Sequence, residues 1–199
     1  MPPEAGARAA RLLSVIEAEI VPLTRAGVAA GNKIFGAAVL RKADLSLVVA
    51  GTNRETANPL WHGEIATLDA FFALPQSSRP APGDCVFLST HEPCPLCLSA
   101  ITWAGFDNFT YLFGYADTRD AFAIPHDLRI LEEVFGVRDG AYRRQNAYWT
   151  ASSIADLVGN APEPERRGLN ARVAALAHVY SVLSEAYHAG KGAAGIPLD

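Results

Sequence analysis

The chain is poor in cysteine, methionine and charge. Its 199 residues hold 3 Cys and 1 Met, and 19% of them are Asp, Glu, Lys or Arg. Three cysteines are too few and too unevenly placed for a disulfide framework. No apolar run approaches the roughly 20 residues of a membrane-spanning helix. Positive charge is not in excess either: 17 Lys and Arg against 21 Asp and Glu leave a formal charge of −4. The global field that draws a protein onto nucleic acid or an anionic membrane is therefore missing, and a small partner is favoured. The opening segment MPPEAGARAARLL carries Glu4 and no apolar stretch followed by a cleavage site, so the expectation is a cytoplasmic protein without a secretory leader. What is abundant is apolar surface, since 50% of the residues are hydrophobic. That length and composition fit one domain, 1–199, with a sizeable core.

Along the chain the periodicity of apolar residues changes repeatedly. Leu12, Leu13, Ile16 and Ile20 recur at helical spacing within Ala9–Ile20. IFGAAVLR (34–41) and LSLVVAG (45–51), separated by Lys42, Ala43 and Asp44, read as a β-hairpin. A helix over 61–74, a strand over 85–90, a helix over 94–105 ended by Gly105 and a strand over 109–115 follow. This α-β-β-α-β-α-β order predicts an α/β fold, a mixed sheet with helices packed on its faces. Beyond Ala116 only helices near 127–135 and 169–188 stand out, with Pro162, Pro164 and Gly168 interrupting the chain between them. The core is expected over about 9–150 and a C-terminal helical segment over about 163–190. The tail GKGAAGIPLD is expected to be mobile or peripheral. Arg143, Arg144, Arg166 and Arg167 read as solvated loop charges.

Three soft-metal ligands draw the eye: His62, Cys94 and Cys97, with Glu64 two residues after the histidine. Cys94 and Cys97 are three apart and share a helix face, so they can grip one ion from the first turn of their helix. The positive end of that helix favours thiolate over thiol. His62 and Glu64 both reach the same ion only if their helix points at it end-on. The spacing therefore predicts two helix N-termini facing each other across one Zn2+. Three protein ligands leave the fourth position for a catalytic water, and Glu64 is the base that takes its proton and returns it to a substrate. Each fragment alone has a plainer reading. Cys-x-x-Cys also serves redox dithiols and structural zinc knuckles, and His91 or Cys85 as a fourth ligand would close the site. The joint pattern His62-Gly63-Glu64 followed by Pro93-Cys94-Pro95-Leu96-Cys97 is more specific, matching the zinc deaminase signature H-x-E…P-C-x-x-C.

At these residues, from about Ile34 to Tyr115, the sequence resembles the cytidine/deoxycytidylate deaminase superfamily. STHEPCPLCLSAITWAG is most similar to the guanine deaminase and nucleobase deaminase branch. The resemblance implies a three-layer α-β-α fold around a mixed five-stranded sheet, one Zn2+ held by His62, Cys94 and Cys97, and Glu64 as proton shuttle. It implies substrate contacts from Phe35, which walls the base pocket, from Asn53, whose amide offers a donor and an acceptor to a ring edge, and from Trp103. Gly63 stands where the family commonly has alanine, which is expected to loosen the pocket floor slightly. Asp117, Asp120 and Asp127 are the acidic candidates for reading the base. A homodimer is implied, with residues 169–188 either reaching a neighbouring site or packing on their own domain. The function so implied is zinc-dependent hydrolytic deamination of a free nucleobase or related amino-heterocycle, guanine favoured. Deamination of tRNA adenosine, of cytosine or cytidine, or of a pterin or triazine uses the same centre. Outside the enzymes, a structural-zinc interaction domain would need a fourth protein ligand.

Overall fold

Alternation along the strands decides which layer each side chain enters. In β1 (Gly36–Arg41) Ala38 and Leu40 face one cluster of apolar residues while Ala37 and Val39 face another. β3 (Cys85–His91) divides in the same way, Val86 and Leu88 against Cys85 and Phe87, and every one of its residues is buried. A strand covered on both faces has no polar side to show, which is why this stretch reads as a continuous apolar run. The computed structural model describes residues 5–198. Its sheet has the order β2-β1-β3-β4-β5, where β2 is Leu47–Thr52, β4 is Asn108–Phe113 and β5 is Thr150–Ser153. β2 and β3 run antiparallel to β1, and β3, β4 and β5 are mutually parallel. The mixed five-stranded sheet and its three layers are as expected.

One face carries the N-terminal helices α1 (Ala5–Val15) and α2 (Val21–Ala29), joined by a π-helical turn at Ile16–Ile20. The same layer holds α7 (Ile154–Gly159) and the long α8 (Glu165–Gly190), which packs against α1 and α2. Tyr180 and Leu183 put α8 into this core, so the C-terminal helix packs on its own chain. The other face carries α3 (Gly63–Phe72) and α4 (Pro95–Trp103) side by side, with Leu68, Phe71 and Ile101 buried against the sheet. After β4 the chain forms α5 (Tyr115–Asp120) and α6 (His126–Phe135) before returning as β5. β5, sequence TASS, is a short polar edge strand and carries no apolar alternation to reveal it.

The tail corrects its sequence reading. Ile196 is buried, and Pro197 and Leu198 line the cavity described below. Arg144 is likewise no free loop charge, since it donates to Glu92 Oε1 at 2.9 Å. Tyr142 donates to the same oxygen at 2.8 Å, tying the end of β3 to the segment that leads into β5.

Candidate metal centre

Both sequence motifs fall where a helix begins. His62 is the N-cap of α3 and Cys94 the N-cap of α4, each with extended backbone (ψ 161° and 168°), so their side chains sit at the open helix ends. Pro95 follows at the first helical position, where its missing N–H is no loss. Cys97 lies one turn further along the same face. The two helix N-termini converge as the spacing required. His62 Nδ1 is 3.4 Å from Cys94 Sγ and 3.7 Å from Cys97 Sγ, and the two sulfurs are 3.7 Å apart. A tetrahedral zinc with bonds of about 2.3 Å to sulfur and about 2.0 Å to nitrogen has ligand edges of about 3.5–3.8 Å. The donor triangle therefore fits zinc in both size and chemistry.

Among the described residues, the cluster of metal-capable groups consists of His62, Cys94 and Cys97. Cys85, at the start of β3, and His91 stay outside it. His91 is buried among aromatic rings, with centroids 4.8 Å from Phe35 and 5.2 Å from both Phe113 and Phe122. Glu64, in the first turn of α3, is 4% exposed and points back at the cluster. Its Oε1 accepts from Ser89 Oγ at 2.8 Å, and its Oε2 lies 3.3 Å from Cys97 Sγ.

Burial and crowding shift the protonation of each of these groups. Burial pushes the Glu64 carboxyl up, and the charge of Cys94 adds to the effect. The hydrogen bond from Cys97 holds Cys94 well below the usual thiol range against its own burial, with His62 assisting. Burial and the neighbouring Cys94 push Cys97 well up. Burial works against charge on His62, yet its hydrogen bond to Cys94 and the charges of Cys94, Glu55 and Glu64 outweigh it and raise the imidazole to about 9. Acidic groups crowded this closely resist ionising together, and a divalent cation among them would relieve that resistance.

The cluster opens onto a cavity of about 540 Å³ whose walls include Phe35, Leu60, Leu96, Ile124, Asp127, Phe135 and Leu198. Phe35 is thus brought beside the metal ligands. Asn53 is fully buried and does not line the cavity; its amide bonds to Glu55. Gly63 lies between His62 and Glu64 against the start of β1. A Cβ there would stand 2.6 Å from Phe35 O and 2.8 Å from Gly36 N. The expected loosening is replaced by close contact, since only a glycine lets the α3 terminus come this near the backbone of β1. Trp103 is 90% exposed at the far end of α4, in a separate surface depression shared with Tyr148. Of the three aspartates, Asp117 accepts from the Gly114 N–H at 2.9 Å and Asp120 pairs with Arg119 at 2.6 Å. Asp127, at the start of α6, lines the cavity. Burial, together with the charges of Cys94 and Glu64, pushes its carboxyl well up from the usual range. Sequence reasoning passed over Lys33 and Glu55, which also line this cavity; the signal available was a carboxylate two residues after Asn53.

Residues 16–113 match the family model of the cytidine and deoxycytidylate deaminase zinc-binding region, a span that contains His62, Glu64, Cys94 and Cys97. No curated protein gives a significant match. Among solved structures, a variant of NE0047 in complex with 8-azaguanine is 24% identical over 88% of this chain and 88% of that one, with a TM-score of 0.54. NE0047 in complex with 2,6-diaminopurine is 24% identical over 96% and 87%, with a TM-score of 0.51. A guanine deaminase from Nitrosomonas europaea is 24% identical over 87% and 88%, with a TM-score of 0.49. At such identity the likeness to the two NE0047 complexes speaks for the fold, while the motif and its donor triangle speak for the centre. Taken with the family match, they mark the chain as a hydrolytic deaminase whose residues 16–113 form a zinc-binding region of the cytidine and deoxycytidylate deaminase type.

Proposed function

We propose that the protein deaminates a free amino-substituted nucleobase, guanine first among them. The observation that carries this reading is the triangle of His62, Cys94 and Cys97, with Glu64 Oε2 beside it, at the wall of a largely apolar cavity. Zinc bound by the triangle would supply a Lewis acid that makes water a nucleophile at neutral pH. Glu64 then performs the proton work. Its Oε2 takes one proton from the attacking water and delivers it to the ring nitrogen, then takes the second from the added hydroxyl and delivers it to the departing amine, while Ser89 holds the other oxygen in place. Water adds to the carbon bearing the amine, the C–N bond breaks, and the products are the oxo-heterocycle and ammonia.

Phe35, Leu60 and Leu96 offer a flat ring an apolar slot, and Asp127 offers its N–H groups an acceptor. The ligands named for NE0047, 8-azaguanine and 2,6-diaminopurine, are bases of this size and kind. Polynucleotide substrates are disfavoured. Among the described residues the one Lys or Arg lining the cavity is Lys33, which is paired with Glu55 at 3.0 Å. A homodimer belongs to the same reading, and the exposed pair Trp103 and Tyr148 is the apolar surface it would cover.

The test is ammonia release across purines, pyrimidines and triazines, with tRNA alongside. Guanine is expected to lead, and activity confined to tRNA would defeat the proposal. Glu64→Gln is expected to retain zinc while turnover drops by about 10²–10⁴-fold. Full activity in that variant would remove Glu64 from its role.

A further inference from the structure

Behind the metal ligands, in the loop after β2, lies Glu55, a carboxylate that neither joins the donor triangle nor faces open solvent. It is 5% exposed. Its Oε1 accepts from Lys33 Nζ at 3.0 Å and stands 3.5 Å from His62 Nε2. Its Oε2 accepts from Asn53 Nδ2 at 2.6 Å, and its backbone N–H donates to Asn53 Oδ1 at 3.1 Å.

These contacts have a direction. His62 turns Nδ1 toward the two sulfurs, so Nε2 is the nitrogen left over, and the carboxylate lies on that side of the ring. An imidazole that binds a metal through one nitrogen needs a partner for the other. A carboxylate in that place fixes the tautomer, sets the ring plane and makes the ligand more basic. Burying a carboxylate without a partner is strongly unfavourable. Lys33, also 5% exposed, supplies the opposite charge, 3.0 Å from Glu55 Oε1. Asn53 satisfies the second oxygen, and both ends of its amide are held by Glu55. A packing residue would need none of this, since a neutral side chain of the same shape would fill the space.

We propose that Glu55 is a positioning residue of the metal centre: it holds His62 with Nδ1 facing the thiols, and Lys33 neutralises the charge this requires. The inference rests on the reading of His62, Cys94 and Cys97 as a zinc site and is independent of which base is deaminated.

The experiment is zinc affinity, measured on the full chain by competition with a chromophoric chelator, for the wild type, Glu55→Gln and Glu55→Ala. ¹⁵N shifts of the His62 ring in the zinc-loaded protein report which nitrogen carries the metal, and chemical unfolding of the zinc-free proteins serves as control. Glu55→Gln keeps shape and one acceptor but removes the charge. Zinc binding is expected to weaken by about 10-fold in Glu55→Gln and up to about 100-fold in Glu55→Ala, with the Nε2 shift altered in both. Zinc affinity within twofold of wild type, or zinc-free stability lost with affinity unchanged, would overturn the proposal. Absence of zinc binding by the wild type would overturn the metal centre itself. Zinc binding of the expected strength without ammonia release from any base would defeat only the substrate reading.

Discussion

Asp127 is separated from its two sequence neighbours of the same kind by what each touches. Asp117 is consumed in capping a short helix and Asp120 lies in an exposed pair with Arg119, whereas Asp127 faces the cavity. Leaving a buried polar group without its hydrogen-bond partner costs about 1–3 kcal/mol, a factor of about 5–150 in an equilibrium or rate. Asp127→Ala is therefore expected to lower kcat/KM for a purine by about 10–100-fold in an ammonia assay, while Asp117→Ala leaves kcat/KM near wild type. Sequence alone could not have ranked the three. Each is an aspartate in a polar stretch, and only the path of the chain after β4 decides which one turns inward. Glu55 and Lys33 escaped for a related reason, because their meaning lies in a contact between residues 22 apart. His62, Glu64, Cys94 and Cys97 were legible because their geometry is local: a histidine or cysteine at a helix start, with its partner two or three residues on, points where it must whatever the rest of the chain does.

Elements were legible in proportion to their apolar periodicity. The hairpin, β3, β4 and the helices bearing the metal ligands all carry it. The polar β5 and the short α5 do not, and α7 carries it over little more than one turn, in Ile154, Leu157 and Val158; neighbouring backbone or a cap holds such pieces, as Ser153 does in accepting from the Asp156 N–H at 2.9 Å. The approach of α3 to β1 shows the limit of reading residue types alone. Gly63 next to a metal ligand suggests slack, yet a Cβ there would meet backbone atoms on β1, which cannot rotate away. Gly63→Ala is thus expected to push the two elements apart, at about 1–3 kcal/mol for forced overpacking. Denaturant unfolding should show the lowered midpoint, and zinc affinity should fall with it because His62 and Glu64 ride on the displaced terminus.

For the whole molecule, the three layers bury a histidine in an aromatic core. Burial alone lowers the pKa of His91 to about 3, while Thr90 Oγ1 lies 3.0 Å from its Nδ1. The sign of the consequence follows from the two states. As pH falls through the ordinary value of 6.5 the unfolded chain takes up a proton that the folded chain refuses, so stability is lost between about 6.5 and 3. At about 1.4 kcal/mol per unit, His91 removes about 2 kcal/mol between pH 6.5 and 5. Unfolding free energy measured across that range should decline accordingly. The His91→Asn variant, which cannot titrate, should lack that part of the slope whatever its absolute stability.

One rigid rod joins the interior of this molecule to its exterior. α4 begins at the thiols and ends at Trp103, nine residues or about 14 Å later. Its indole lies almost wholly in water, whereas Trp149 is buried and donates to Thr102 Oγ1 at 2.8 Å, and Trp61 lies under Arg54. The red edge of the fluorescence spectrum therefore belongs mainly to this one side chain, which makes it a built-in optical gauge of whatever settles on that face while the distant pocket fills or empties.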